Sequence, residues 1–235
     1  MKPFLPLTFV LSLFASCVSN RYYTIAADNI AKNDSHQLIS ENDTLRVEYL
    51  FSVHSNQMTI SIFNKLKEPI EVDWNKSALI SNEQAVSFYN PNIQFSGTID
   101  NANRVSLLTG TLADVNGSLV INQPSQFIFP NTSLAKMSRP ISAVAKADID
   151  IKGARAEKVE FSGKPYSVHL KKMKFEKDST PLTFRTYLTF RTGEKQKQQE
   201  FKVEQSFYVT EIWQTRFDVY DFPSNVLPRP DRAHF

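Results

Sequence analysis

The sequence predicts an all-β protein whose antiparallel strands pack as a β-sandwich. Apolar and polar residues alternate with a period of two in many short segments, whereas the 3.6-residue period of an amphipathic helix hardly appears. Turn residues separate these segments. Hydrophobic residues make up 41% of the chain and include 18 phenylalanines, which is enough for two sheets to bury their apolar faces against each other.

The first predicted hairpin lies in residues 45–64. Alternate residues of LRVEYLFSV (45–53) are apolar, and the same holds for Met58, Ile60 and Ile62 in MTISIFN (58–64). The connection between the two runs is short, so the strands are expected to pair antiparallel.

Two further strands are predicted in PIEVDW (69–74) and AVSFY (85–89). We expect the first of them to end at Trp74. The side chains of Asp73, Asn75 and Ser77 would then bond to the backbone of the turn that follows.

The clearest hairpin is predicted near the C-terminus, from LTFRTYLTF (182–190) and EFKVEQSFYVTEIW (200–213). A polar tip, TGEKQKQ (192–198), joins the two runs. Strict alternation along the second run places Phe207, Val209 and Trp213 on one face, so Trp213 is expected at the edge of the core. Because the two hairpins lie far apart in the sequence, one sandwich built from both halves is favoured over two domains.

The predicted sandwich spans residues 41–217, with an irregular insertion around residues 92–156. Residues 141–156 fit either a short helix or an edge strand. Residues 218–235 contain three prolines and little apolar surface, so we expect a flexible C-terminal tail.

The N-terminus has the order of a secretory signal in residues 1–16: a basic residue, a short apolar run and small residues. The apolar run is too short to span a bilayer. An ordinary signal peptidase could cut near Ser16 or Ser19 and leave a soluble secreted protein. Alternatively, the only cysteine of the chain, Cys17, is a lipidation site, which agrees with the lack of any disulfide partner.

The stretch Leu13-Phe14-Ala15-Ser16-Cys17 resembles the bacterial lipoprotein box, with Phe14 in the place where leucine is usual. The resemblance implies a membrane partner, reached through lipid on Cys17. Residues 17–40 would then form a lipidated N-terminus and a linker or first strand. Two or more acyl chains anchor a protein stably.

A second resemblance is carried by FNKLKEPIEVDWNKSALI (63–80), PSQFIFPNTS (124–133), PLTFRTYLTF (181–190) and FKVEQSFYVTEI (201–212). These segments resemble the Ig-like module of uncharacterised Bacteroidota envelope lipoproteins, over residues 45–213 without the irregular middle. The resemblance implies an Ig-like sandwich that is lipid-anchored at the outer membrane of a bacterial cell envelope. No acidic run follows Cys17, which favours the periplasmic face.

No catalytic constellation, metal site or cofactor site is predicted. The four histidines are scattered without the spacing of a transition-metal site. Asp148 and Asp150 share one strand face before Gly153, but they lack the further ligands of a calcium loop, so a solvent-facing edge is expected instead.

Partners are predicted from charge and aromatic content. The formal charge of +3 and the interleaving of glutamates among Lys171, Lys172, Lys174 and Lys177 indicate a solvated strand face, so no nucleic-acid partner is expected. The tyrosines at positions 22, 23, 89, 187 and 208 fit cross-strand packing better than a sugar-binding surface.

Two short patterns, Asp43-Thr44-Leu45 and Asp178-Ser179-Thr180, resemble O-glycosylation sites of Bacteroidota exported proteins, which makes Thr44 and Ser179 candidate sites. The functional expectation is a non-catalytic, lipid-anchored envelope protein that binds an envelope protein or glycan or helps an assembly. The alternative is a surface carbohydrate-binding accessory of a glycan-uptake system.

Overall fold

A computed structural model describes most of the chain from Ser19 onward. The described residues are 19–30, 32–54, 57–89, 92–101, 111–120, 124–138, 140–141, 149–160, 167–193, 199–218, 220, 222 and 231–234, with backbone alone for 92–101, 111–120 and 160. All extended pairing among them is antiparallel, and the predicted all-β sandwich is confirmed.

The described strands form two packed sheets and a separate pair. The larger sheet contains β1 (Asn20–Ala27), β5 (Ile70–Ser81), β6 (Gln84–Ser87), β9 (Ser125–Ile128), β11 (Arg155–Glu160), β12 (Ser167–Lys174), β13 (Thr183–Thr192), β14 (Gln199–Thr215) and β15 (Arg232–His234). The smaller sheet contains β2 (Leu38–Glu41), β3 (Leu45–Phe51), β4 (Met58–Asn64) and β10 (Ser133–Met137). The separate pair is β7 (Asn92–Asn101) and β8 (Thr111–Val120).

The first predicted hairpin is confirmed as β3 and β4 of the smaller sheet, paired from Leu45 with Asn64 to Phe51 with Met58. Its alternate apolar residues are buried as predicted. They pack on the larger sheet, where the ring of Tyr49 meets that of Phe207 edge to face at 4.9 Å between centroids. The main core therefore lies between the two sheets.

The second predicted hairpin is confirmed as β13 and β14, and β14 organises the whole larger sheet. Its N-terminal half pairs with β13, which in turn pairs with β5. Its C-terminal half pairs with β1 on one edge and with β12 on the other. Beyond these two neighbours, β15 pairs with β1 and β11 pairs with β12, so β15 and β11 are the outermost described strands of this part of the sheet.

A β-bulge in β14 changes the face that its last residues present. Thr24 pairs with Glu211 and Ile25 with Val209, so Thr210 is an extra residue in the register with β1. Such a bulge leaves the residues beyond it on the opposite faces from strict alternation. Ile212 therefore joins the main core, and the prediction that Trp213 shares the face of Val209 is wrong.

Trp213 is buried in a second apolar cluster on the other face of the larger sheet. Its other members are Tyr22, Val53, Val168, Leu170 and Phe222. The cations of Lys172 and Arg232 lie 4.6 Å and 4.0 Å from its ring centre. The second cluster gives the C-terminal half of β14 a packed face of its own.

β5 does not end at Trp74 as predicted but continues to Ser81 with an irregular register against β13. The local bonds predicted for two of the polar residues are present: the Lys76 amide donates to Asp73 Oδ1, and Ser77 Oγ donates to the Asp73 carbonyl. Ser77 Oγ also accepts from the Thr189 amide of β13. These bonds satisfy the backbone where the strand is irregular, so the strand continues instead of turning.

The insertion around residues 92–156 is more regular than predicted. β7 and β8 pair along their full lengths, from Asn92 with Val120 to Asn101 with Thr111. Of residues 141–156, the stretch 142–148 lies outside the described residues, and Arg155 begins the edge strand β11.

The expected flexible C-terminal tail contains an ordered strand. Residues 223–230 lie outside the described residues, but β15 pairs with β1. The carboxylate of Asp231 is fully buried and lies 2.7 Å from Lys32 Nζ. At residues 231–234 the structure thus differs from the expectation, because composition reports local burial and not the pairing of a distant edge.

Candidate functional site

The candidate site is a surface at the C-terminal end of β14, on the face of the larger sheet that also carries the main core. Arg21 pairs with Gln214, Gln214 with Lys171, and Lys171 with Ala156. Residues that pair across antiparallel strands point to the same face. The next residues inward on this face, two positions along their strands, are Tyr23, Ile212 and Met173, which belong to or pack against the main core.

Two adjoining clefts open on this surface and share Lys171. One, of about 460 Å³, is lined by residues that include Ser19, His169, Gln214 and Arg216. The hydroxyl of Ser19 accepts a hydrogen bond from Gln214 Nε2 at 2.5 Å. This bond fixes the start of the described chain on the rim of the cleft.

The other cleft, of about 400 Å³, lies under the segment 149–152 and is also lined by Arg21. Arg21 Nη1 donates to the carbonyl of Ile149 at 3.1 Å, which holds the segment over the sheet. The side chains of Ile149 and Ile151 are buried in the main core. Alternation within this segment therefore turns Asp150 and Lys152 toward solvent.

The clefts are lined by four cationic side chains and one carboxylate. We call the four cations, Arg21, Lys152, Lys171 and Arg216, the basic end. The carboxylate belongs to Asp150, which lies 3.4 Å from Lys152 Nζ. Within the described part of the chain, Lys171 and Arg216 make no ion pair and are exposed. The surface therefore has a net positive charge available to an anionic ligand.

Burial raises the pKa of the Tyr23 hydroxyl beside the basic end, although the nearby Arg21 opposes that shift. Tyr23 thus stays a neutral hydroxyl at physiological pH. It adds no negative charge to offset the cations of the clefts.

Sequence reasoning did not find the basic end. It grouped Lys171 with Lys172 as one solvated strand face, whereas alternation along β12 puts Lys171 over the clefts and Lys172 against Trp213. Lys172 is further engaged by Glu157 at 2.8 Å, an interaction that lowers the pKa of that carboxyl. The sequence did contain a signal for this arrangement: adjacent residues of one strand point to opposite faces, so Lys171 and Lys172 belong to different surfaces.

A second charged cluster on the outer face of the larger sheet has a structural role. Arg191 of β13 reaches Asp73 and lies 3.4 Å from the carboxylate of Glu71, both on β5. Ser125 Oγ of β9 donates to the other oxygen of Glu71 at 2.6 Å. Arg191 Nε is also 3.9 Å from Glu200 of β14. These contacts engage the carboxylates and tie four strands together.

Of the predicted modification sites, Cys17 lies outside the described residues. Thr44 is half-buried in the turn between β2 and β3, where its amide donates to Asn42 Oδ1. Ser179 is exposed at the end of a 3₁₀ turn, Lys177–Ser179, and its hydroxyl donates to the carbonyl of Glu176. The structure places Thr44 and Ser179 in turns, and Ser179 is the more exposed of the two residues.

The five tyrosines weighed for sugar binding do not form one surface. Tyr22 and Tyr23 are 2% and 3% exposed and belong to the two apolar clusters, so packing is confirmed for both. Tyr89 packs against the main core. Tyr187 and Tyr208 lie on the outer face of the larger sheet, four residues of strand apart in the β13–β14 register.

The residues weighed for metal binding are also dispersed. Asp148 lies outside the described residues, and Asp150 is exposed, with Lys152 beside it. Within the described ranges, no three His, Cys, Asp or Glu side chains come together as a metal site. His234 packs its ring on Tyr22, and burial lowers its pKa.

No protein-family model, curated protein or solved structure matches this chain. Among the residues that the structure describes, no helix is long and apolar enough to cross a membrane.

Proposed function

We propose that this chain is a non-catalytic, lipid-anchored protein of a bacterial cell envelope that acts as a binding or assembly module. The observation that carries the proposal is the stretch Leu13–Cys17, in which the only cysteine of the chain follows a signal-like apolar run and small residues. The anchor would lie at the outer membrane, and the absence of an acidic run after Cys17 favours its periplasmic face.

The position of the first strand supports the proposal. β1 begins at Asn20, three residues after Cys17, and it is a central strand of the larger sheet, paired with both β14 and β15. A lipid on Cys17 would therefore be joined to the sandwich by a very short segment. Such a segment restrains how the sandwich faces the membrane.

The charged groups of the described residues support binding over catalysis. The acidic groups of the Arg191 cluster are occupied by hydrogen bonds and ion pairs on the outer face of the sheet. The basic end instead presents cations that have no ion pair in the described structure, Lys171 and Arg216, beside open clefts. A site of this kind holds an anionic group by charge and hydrogen bonds.

The carbohydrate-binding alternative is less favoured by the geometry. Sugar recognition by stacking requires exposed rings, and Tyr22 and Tyr23 are buried. Of the tyrosines considered, Tyr187 and Tyr208 remain on the outer face, and the ring of Tyr187 is already covered by Lys202 at 5.5 Å. We therefore place the binding function at the basic end.

Labelling with a palmitate analogue in a bacterium that processes lipoproteins tests the proposal. We expect the label on the mature chain, a mass spectrum whose N-terminal residue is acylated Cys17, and recovery with outer-membrane fractions. Cys17→Ser should abolish the label, whereas Ser16→Ala should retain it as the matched control. An unlabelled mature chain that begins elsewhere would overturn the proposal.

A further inference from the structure

The basic end lies next to the proposed anchor. Ser19 lines the larger cleft and is hydrogen-bonded to Gln214 at its rim. Cys17 is two residues before Ser19, and two residues of extended chain span at most about 7 Å. An acyl group on Cys17 therefore keeps this end of the larger sheet close to the lipid headgroups.

The charges at this end are complementary to an anionic bilayer surface. Lys171 and Arg216 line the larger cleft together with Ser19, and Arg21 and Lys152 line the smaller cleft, which shares Lys171. A cation acts on an anionic membrane only within about one Debye length, roughly 8 Å at physiological ionic strength. The short segment after Cys17 keeps Ser19, and with it the cleft lined by Lys171 and Arg216, near that range.

Two cations of the basic end, Lys171 and Arg216, are exposed and available for such a contact. They have no ion pair with any described residue, so no internal ion pair must be broken when they meet a phosphate. The Arg216 guanidinium lies 5.8 Å from the ring centre of Phe217, a contact that leaves its charge uncompensated. Arg21 is positioned by its bond to the carbonyl of Ile149. The apolar stems of such side chains can lie along the sheet while their charged groups reach outward.

We propose that the basic end docks on phosphate-bearing headgroups of anionic lipids in the membrane that holds the acyl anchor. The larger cleft takes a headgroup phosphate between Lys171 and Arg216, and the smaller cleft adds Arg21 and Lys152. The docking fixes the orientation of the sandwich, with the basic end toward the bilayer. This inference rests on the lipid anchor of the proposed function.

The test uses the mature protein purified from a bacterium that processes lipoproteins, mixed with vesicles of phosphatidylcholine alone and with vesicles that also contain phosphatidylglycerol. An amine-acylating reagent labels exposed lysines, and mass spectrometry gives the rate at each one. We expect the acylation rate of Lys171 to be about fivefold lower in the anionic vesicles. A cation near an anionic surface contributes about that factor to association. High salt should remove the difference.

Lys67 provides the internal control, because it is exposed in the turn between β4 and β5 and belongs to the other end of the fold. Its rate should be the same in both kinds of vesicle. Equal rates for Lys171 in both vesicles, or equal slowing of Lys67, would overturn the docking.

A matched pair of variants tests the role of charge. Lys171→Glu should remove the protection of Lys152 in anionic vesicles, while Lys67→Glu, with the same change in net charge, should retain it. Neither lysine has an ion pair in the described structure, so both variants are expected to fold, as circular dichroism would check. Loss of protection with Lys67→Glu would overturn the assignment to the basic end.

Two further outcomes separate the sources of phosphate and the two proposals. Inorganic phosphate added to phosphatidylcholine vesicles at matched ionic strength should leave the acylation rate of Lys171 unchanged. A lower rate would assign the clefts to a soluble phosphate ligand and overturn the docking on lipid headgroups. A protein that stays on both kinds of vesicle with equal Lys171 rates overturns the docking alone. A protein that fails to associate with phosphatidylcholine vesicles lacks the anchor, and both proposals fall.

Discussion

Val209 and Ile212 face the same core although they are three residues apart on one strand. In a regular strand such residues point to opposite faces. The extra residue at Thr210 produces the change, and it also moves Trp213 into the second cluster and Gln214 over the clefts. One bulge thus determines both how the end of β14 packs and which side chains surround the basic end.

The bulge predicts that two adjacent residues are both core residues. We expect Ile212→Ala to lower the free energy of unfolding by about 2–5 kcal/mol and Trp213→Ala by about 3–5 kcal/mol, because each truncation leaves a cavity in a different cluster. Chemical denaturation monitored by circular dichroism measures both. Thr210→Ala, which removes one 3.3 Å bond to the Thr24 carbonyl, should cost about 1 kcal/mol or less. A cost below that level for either core variant would contradict the two-cluster arrangement.

The outer charged cluster predicts a difference between two arginines of the same strand. Arg191→Ala leaves the carboxylates of Asp73 and Glu71, which are 9% and 12% exposed, without their cation. We expect a loss of about 1–3 kcal/mol, below the full cost of a buried pair because Arg191 itself is partly exposed. Arg185→Ala breaks an exposed pair with Glu204 and should cost under about 1 kcal/mol. Equal losses in urea denaturation would show that the outer cluster adds no more stability than an exposed ion pair.

The buried hydroxyl of Tyr49 predicts a loss of stability at high pH. Burial raises the pKa of Tyr49 from 10.0 to about 12, while a hydrogen bond with Thr186 opposes the shift. The contribution is fully present below pH 10, where the hydroxyl is neutral in both states, and is lost as the pH rises toward 12, because only the unfolded chain ionises. The expected loss is about 2–3 kcal/mol.

Tyr49→Phe should flatten this part of the stability curve, measured by denaturation between pH 9 and about pH 12. Phe51→Leu, which alters the same core beside Phe207 without removing an ionisable group, is the control and should keep the slope of the wild type. An unchanged slope in Tyr49→Phe would place the titrating group elsewhere.

The candidate O-glycosylation sites predict unequal modification. Ser179 is exposed and Thr44 is half-buried, so a transferase that acts on the folded chain would reach Ser179 more readily. We expect glycan mass on the tryptic peptide that contains Ser179 and its loss in Ser179→Ala, with Thr180→Ala as the neighbouring control. Unmodified peptides over both Ser179 and Thr44, from the native host, would reject the hypothesis.

The sequence by itself determined the strands that pair locally and the faces that they bury. The alternate apolar residues of 45–53 and 58–64 identified β3 and β4, and those of 182–190 identified β13, because a period of two maps sequence directly onto the faces of a strand. It also determined the candidate lipidation residue, Cys17, since a signal and a lone cysteine are recognised without any tertiary contact.

The tertiary structure alone decided the basic end. Its four cations come from β1, the segment 149–152, β12 and the residues after β14, which are brought together only by strand pairing over more than a hundred residues. The bulge at Thr210 then puts Gln214 on the same face as these cations, and no local pattern marks the bulge. The ordering of β15 against β1 has the same origin. Long-range register depends on which edges meet in the folded sheet, and periodicity within one strand carries no information about that choice.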